Sequence, residues 1–161
     1  MSNPLLSMDG LPPFSKIKPE HVQPAIQQAI DDAKQRIADV LRTTDSLTWD
    51  SLIAPLEETD DRLSRIWSPV SHMNSVVNSD ELRAAYEACL PLLAEYQTFV
   101  GQHEGLYRAY QTLADSNEFC RLSQAQQQQV NHTLRDFRLS GIALPAEQQQ
   151  RYGEIVSRLS E

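Results

Sequence analysis

Glycine and cysteine are scarce in this 161-residue chain, at 5 and 2 residues, and its 14 Lys and Arg are outnumbered by 22 Asp and Glu. Each scarcity excludes something. Few glycines and no sustained apolar–polar alternation argue against a β-rich fold, which needs tight turns and a period of two. A net charge of −8 opposes binding to a nucleic-acid backbone or to an anionic membrane, because both need clustered cations. Neither partner is expected, and the charge serves solubility through self-repulsion. The longest apolar stretch, around Ala88 to Ala94, is far short of the roughly 20 residues of a membrane-spanning helix. The opening MSNPLLSMDGLPPFSK has no basic n-region and no apolar h-region. No secretory signal is therefore expected, and a cytoplasmic location is. Cys89 and Cys120 lack CxxC spacing, so two buried thiols in a reducing compartment are expected rather than a disulfide.

What remains is enough for one domain with a core of its own. The chain is 40% hydrophobic, and a globular chain of this length buries roughly 70% of its unfolded surface. Residues 1–18, with Pro4, Pro12 and Pro13, read as an extended arm held to the surface by Leu5, Leu6, Leu11, Phe14 and Ile17. Residues 19–161 read as an all-α, antiparallel bundle-like domain. A first helix starts at Pro19 and carries Val22, Ile26, Ile30, Ala33, Ile37 and Leu41 on one stripe. Thr48 caps a second helix, in which Pro69 predicts a kink or break. Asn78 and Glu81 predict a capping box for a third, irregular at Pro91, whose stripe includes Cys89, Leu93, Tyr96 and Val100. Gly101 and Gly105 weaken its continuation into LYRAYQTLAD. Ser123 and Gln126 cap another helix, packed through Val130, Leu134 and Phe137 and ended by Gly141. Pro145 starts the last helix, with Tyr152, Ile155, Val156 and Leu159 along one face. That helix has no stop signal, and Glu161 places negative charge at its negative end. It is expected to fray or to pair with another copy of the chain.

No stretch carries chemistry unaided. HEGLY, His103 to Tyr107, begins like a zincin motif, but Tyr107 stands where a second histidine must sit to reach the same metal. His103 is thus expected to be a polar surface or packing residue. His132 and Asp136 offer only two ligands at i, i+4 and read as a surface contact. Glu57, Glu58, Asp60 and Asp61 form an acidic cluster. Glu58 precedes Arg62 by four, as Asp61 precedes Arg65, which predicts ion pairs along one helix. No Gly-rich phosphate loop, GxSxG elbow or nucleophilic-cysteine motif is present. In SPVSHMNSVVNS, Ser68 to Ser79, residues His72, Asn74 and Ser75 must face something wet: either solvent or the wall of a water-filled cleft.

Four long segments, PPFSKIKPEHVQPAI, SPVSHMNSVVNSDELRAAYE, LPLLAEYQTFVGQHEGLYRAY and LRDFRLSGIALPAEQQQRYGEIVSRLS, together cover most of the chain. They resemble the N-terminal part of bacterial oligopeptidases of the thimet-oligopeptidase-like zinc metallopeptidase family. The resemblance implies a helical, two-lobed cytoplasmic endopeptidase with a deep channel between the lobes, which cuts short peptides and excludes folded proteins. It also implies one zinc ion in the full-length enzyme, held by the histidines of an HExxH helix and a later glutamate. None of those residues lies in this sequence, so no catalytic residue and no metal ligand is assigned, and no cofactor is expected in the chain itself. The expectation is a non-catalytic N-terminal fragment forming part of the channel wall, with His72 and Asn74 lining the substrate side. Its partners would be short peptides, the catalytic lobe and, through the last helix, a second copy. The alternatives are a free-standing helical module that binds a partner helix or peptide, and an inhibitor or assembly partner of the full-length enzyme.

Overall fold

The computed structural model describes residues 3–8, 10–43 and 46–159. Among them are seven α-helices and no strand, so the all-α expectation holds. The helices are α1 (Pro19–Thr43), α2 (Ala54–Val76), α3 (Asp80–Glu87), α4 (Leu90–Gly101), α5 (Glu104–Ala114), α6 (Gln124–Leu139) and α7 (Ala146–Leu159).

α1 is the spine. Its 25 residues span about 38 Å, long enough to serve two cores. Its first half contributes Val22, Ile26 and Ile30 to a core closed by Ile66 and Val70 of α2, Leu82 of α3 and Tyr96 of α4. Ala25, Ala29 and Ala33, each buried, recur every four residues and leave a low ridge against which neighbouring helices pack closely. Its second half gives Ile37 and Val40 to another core, shared with Leu106 and Leu113 of α5 and Leu134 and Phe137 of α6. Val100 of α4 packs against both cores.

The approach to α1 is tied down. Asn3 Nδ2 donates to the His21 carbonyl at 2.7 Å, and Leu5 N–H donates to Asn3 Oδ1 at 3.0 Å. Leu5 and Ile17 are buried. Leu11, expected to hold this stretch down, does not, being 92% exposed; Phe14 is 44% exposed and keeps a ring contact with His72. Leu11 precedes Pro12 and Pro13, whose fixed φ keeps the backbone extended there.

Local chemistry explains most boundaries. Thr48 Oγ1 accepts from Ser51 N–H at 3.1 Å while Ser51 Oγ accepts from Thr48 N–H at 3.0 Å. The helix then enters through a wide turn, Trp49–Ile53, in which Ala54 N–H donates to the Trp49 carbonyl; Pro55 has no N–H to close the next α-type bond. Pro69 does not break α2, which runs unbroken from Ala54 to Val76. Ile66, Pro69 and Val70 are all buried, and that packing offsets the roughly 3 kcal/mol an interior proline costs. The cap of α3 is Ser79, not Asn78. Its hydroxyl accepts from Leu82 N–H at 3.2 Å, a one-residue shift that also brings Ser79 beside the Glu81 side chain. The Glu81 carboxyl is held below the usual carboxylate range by its own backbone N–H and then by the Ser79 hydroxyl. The expected irregularity appears as a two-residue break between α3 and α4, with Pro91 in the first turn of α4.

Ser123 and Gln126 form the predicted reciprocal box. At the other end of α6, Ile142 N–H donates to the Phe137 carbonyl and Gly141 N–H to the Arg138 carbonyl, both at 3.2 Å. This is a Schellman motif with Gly141 at φ +83°. A Cβ there would lie 2.8 Å from Leu144 Cδ1. Gly141→Ala is therefore expected to cost more than about 1 kcal/mol, read as a Tm lowered by roughly 2–4 °C for each kcal/mol.

α7 packs on α4, yet none of its residues is buried. Tyr152 and Val156 are half-buried, Ile155 is 45% exposed and Leu159 82%. The amphipathic helix forms as its pattern predicts, and the described residues cover its apolar stripe only in part. The charge expected from Glu161 lies outside the described residues.

Candidate functional site

A groove opens along the seam between α2, α4 and α6, where the two cores meet. It has a volume of about 500 Å³. Leu63 and Trp67 of α2, Leu93, Tyr96 and Val100 of α4, and Phe137 of α6 form its apolar walls. A deeper recess of about 100 Å³ continues inward past Tyr96 and Phe137 towards Ile37 and Tyr110. Gly101 lets the ends of α4 and α6 come together beside it, since a Cβ at that position would meet Ser140 Cβ at 2.6 Å. Trp67 is supported from behind by Tyr86, stacked at 4.7 Å and 16°. Phe137 meets Tyr107 and Tyr110 edge-on, both at 5.7 Å.

The charge around this groove is acidic. Asp60 accepts from the Tyr96 hydroxyl at 3.4 Å. Its carboxyl is raised above the ordinary value, first by burial and then by Glu57, against a lowering from Tyr96. Burial also raises the Tyr96 phenol, with Asp60 adding to it, and raises Tyr110, with Glu57 and Asp60 adding. Both tyrosines are neutral donors at pH 7. Asp136 is engaged by the Arg135 guanidinium at 3.1 Å.

His72 and Asn74 do not share a face. Two residues apart on α2, they point about 200° apart around the axis. His72 is exposed and its ring lies 5.9 Å from Phe14. Asn74 is half-buried, and its Oδ1 is shielded from solvent without a hydrogen-bond partner among the described residues. Ser75 is exposed and bonds back to the Ser71 carbonyl. Neither His72 nor Asn74 lines the groove.

The acidic cluster pairs across helices rather than along one. Arg62 meets Asp32 of α1 at 2.8 Å, and Glu58 meets Arg36 of α1 at 4.0 Å. The expected Glu58–Arg62 pair gives way because α1 lies alongside α2 and presents its own charges closer, while Arg65 turns from Asp61 to the Met8 carbonyl at 3.5 Å. These are exposed pairs, worth about 0–1 kcal/mol each. His103 has a role the sequence did not signal. As N-cap of α5 its Nδ1 accepts from Leu106 N–H at 3.2 Å, a cap outside the usual Ser, Thr, Asp, Asn set. Phe99 packs against its ring edge-on at 5.3 Å. Cys89 is buried as expected, and burial pushes its thiol up to about 11, so it is no nucleophile at pH 7. Cys120 is exposed, contrary to expectation, because it falls in a short 3₁₀ turn (Phe119–Arg121) with no buried residue. Among the described residues no three His, Cys, Asp or Glu side chains come together to hold a metal, and no helix is long and apolar enough to cross a membrane.

The described residues form a helical region with an apolar groove between its two cores. Comparison with known proteins gives its family. The family model of the neurolysin/thimet oligopeptidase N-terminal domain matches residues 25–149, and the chain belongs to that family. It is similar to oligopeptidase A of Haemophilus influenzae, 60% identical over all 161 residues, and to oligopeptidase A of Escherichia coli K12, 58% identical over the same length. A probable cytosolic oligopeptidase A of Arabidopsis thaliana is 31% identical over 160 residues, 99% of this chain. The chain thus corresponds to the N-terminal region of bacterial oligopeptidase A. It spans about a quarter of the length of these relatives, 24% of both bacterial proteins and 23% of the plant one.

Proposed function

We propose that this chain is the non-catalytic N-terminal part of a cytoplasmic zinc metallo-endopeptidase that hydrolyses short oligopeptides, and that it forms part of the wall of the substrate channel. The observation that carries this is the 60% identity to a quarter of an oligopeptidase A, over the full length of a chain whose sequence contains no HExxH. The zinc and the groups that hold it belong, on this proposal, to the rest of the enzyme, as do the steps of hydrolysis. What this chain supplies is shape and position: a rigid helical wall that excludes folded proteins and orients an extended peptide.

His72 and Asn74 are proposed to lie on the substrate side. Asn74 Oδ1 supports a contact beyond the described residues, because a shielded acceptor left unpaired costs about 1–3 kcal/mol. The test uses a chimera carrying this chain in place of the matching 161 residues of the Haemophilus influenzae protein. His72→Ala with Asn74→Ala is expected to raise the peptide KM several-fold with Tm nearly unchanged. A large fall in Tm with unaltered kinetics would make them packing residues. The purified chain alone is expected to bind no stoichiometric zinc and to release no peptide product; chelator-sensitive activity in it would refute the assignment.

A further inference from the structure

The groove along the α2–α4–α6 seam combines three properties. Its walls are apolar, with half-buried Leu63, Trp67, Leu93 and Val100 facing the opening, and its volume falls within the 300–1,000 Å³ typical of ligand sites. Among the described residues no lysine, arginine or histidine lines it or its inner recess. Its carboxylates are unevenly satisfied. Asp136 has Arg135, whereas Asp60 has only a long bond from Tyr96, and Glu57 stands beside it at the recess. Neither has a cation within ion-pair distance among the described residues. An apolar trough with unpaired carboxylates at one end rejects anionic and purely polar occupants. It suits a side chain with an aliphatic stem and a cationic head, which lays its methylenes on the walls and its charge at the rim.

We infer that this groove docks a short peptide with a lysine or arginine flanked by apolar residues, the cation at Asp60 and an apolar neighbour against Trp67, Leu63 and Leu93. The choice of a peptide as occupant rests on the function proposed above. A second copy of this chain is disfavoured, because two chains of charge −8 repel. As a peptide-holding surface outside the chemistry, the groove would favour basic-apolar substrates.

The experiment is a titration of the ¹⁵N-labelled chain, following the indole N–H signals of Trp67 in the groove and Trp49 in the second core. The probes are acetyl-Ala-Leu-Lys-Leu-Ala-amide and its versions with norleucine or Glu in place of Lys. The lysine peptide is expected to shift Trp67 saturably and to leave Trp49 unmoved. The norleucine version should bind about fivefold more weakly, the size of one partly exposed ion pair, and the Glu version should not saturate. Asp60→Asn should remove that fivefold advantage and leave the norleucine peptide unaffected. Asp60 is exposed, so this variant is expected to keep the fold, checked by an unchanged Tm. An unmoved Trp67 at millimolar lysine peptide, equal binding of the Lys and Glu versions, or full affinity in Asp60→Asn would overturn the inference. A Trp67 shift that follows protein concentration alone would assign the groove to a second copy, and overturn it too. Peptide binding here is read without catalysis. A chimera active on peptides whose groove stays empty sinks only this inference, and an inactive chimera with a binding groove sinks only the function proposed above.

Discussion

Phe137→Ala is expected to lower the unfolding free energy by about 3–5 kcal/mol, measured by urea denaturation. The side chain is 3% exposed, so its removal leaves a cavity that rigid helices on three sides fill poorly. Two edge-on aromatic contacts, to Tyr107 and Tyr110, go with it, each worth about 0.5–1.5 kcal/mol beyond area. The same residue supplies the carbonyl that accepts from Ile142 N–H, and both side chains belong to the second core. The apolar contact across the Schellman motif is thus lost as well. A loss below 1 kcal/mol would mean that α6 is held by its caps rather than by this core.

Leu5→Ala is expected to cost about 2–5 kcal/mol, as for other fully buried leucines, although Leu5 lies before the first helix. At 1% exposure it belongs to the first core, with Ile17 and Val22. The Asn3 side chain fixes the approach from both sides, bonding Leu5 N–H and the His21 carbonyl. Truncation removes the apolar anchor, leaving two hydrogen bonds at the end of a segment free to leave. Amide exchange should rise in residues 3–8 and at the start of α1, with α5 and α6 unaffected. Equal loss of protection throughout would show that the segment is needed for the whole domain to fold.

The helices were legible because each is written in period and cap. The α1 stripe, the Thr48 cap, the Ser123–Gln126 box and the Gly141 stop were all read from local patterns, and local patterns suffice where the energetics are local. Departures came where tertiary packing decided. Pro69 is tolerated because its neighbours are buried. Arg62 leaves Glu58 for Asp32 because a second helix is closer. Ser79 displaced Asn78 as cap by a single residue, a margin that sequence patterns do not resolve. His103 was unreadable as a cap, since the usual rules do not include an imidazole. The groove was the least legible feature. Its walls come from residues 60–67, 93–101 and 133–140, far apart in sequence, and Leu93, Tyr96 and Val100 looked like ordinary core residues. That stripe lines a groove because residues of α2 and α6 stand opposite it. The expected site residues His72 and Asn74 lie on α2 away from that groove.

The most direct measurement is peptide hydrolysis by the chimera in which this chain replaces the matching 161 residues of the Haemophilus influenzae oligopeptidase A. The sequences are 60% identical over that stretch, so the graft should dock on the remaining three-quarters of the enzyme. The predicted result is chelator-sensitive cleavage of a short fluorogenic peptide within about tenfold of the parent kcat/KM, a loss of roughly 1.4 kcal/mol. A folded, zinc-loaded chimera that leaves short peptides uncut would contradict the assignment of this chain as the N-terminal wall of an oligopeptidase.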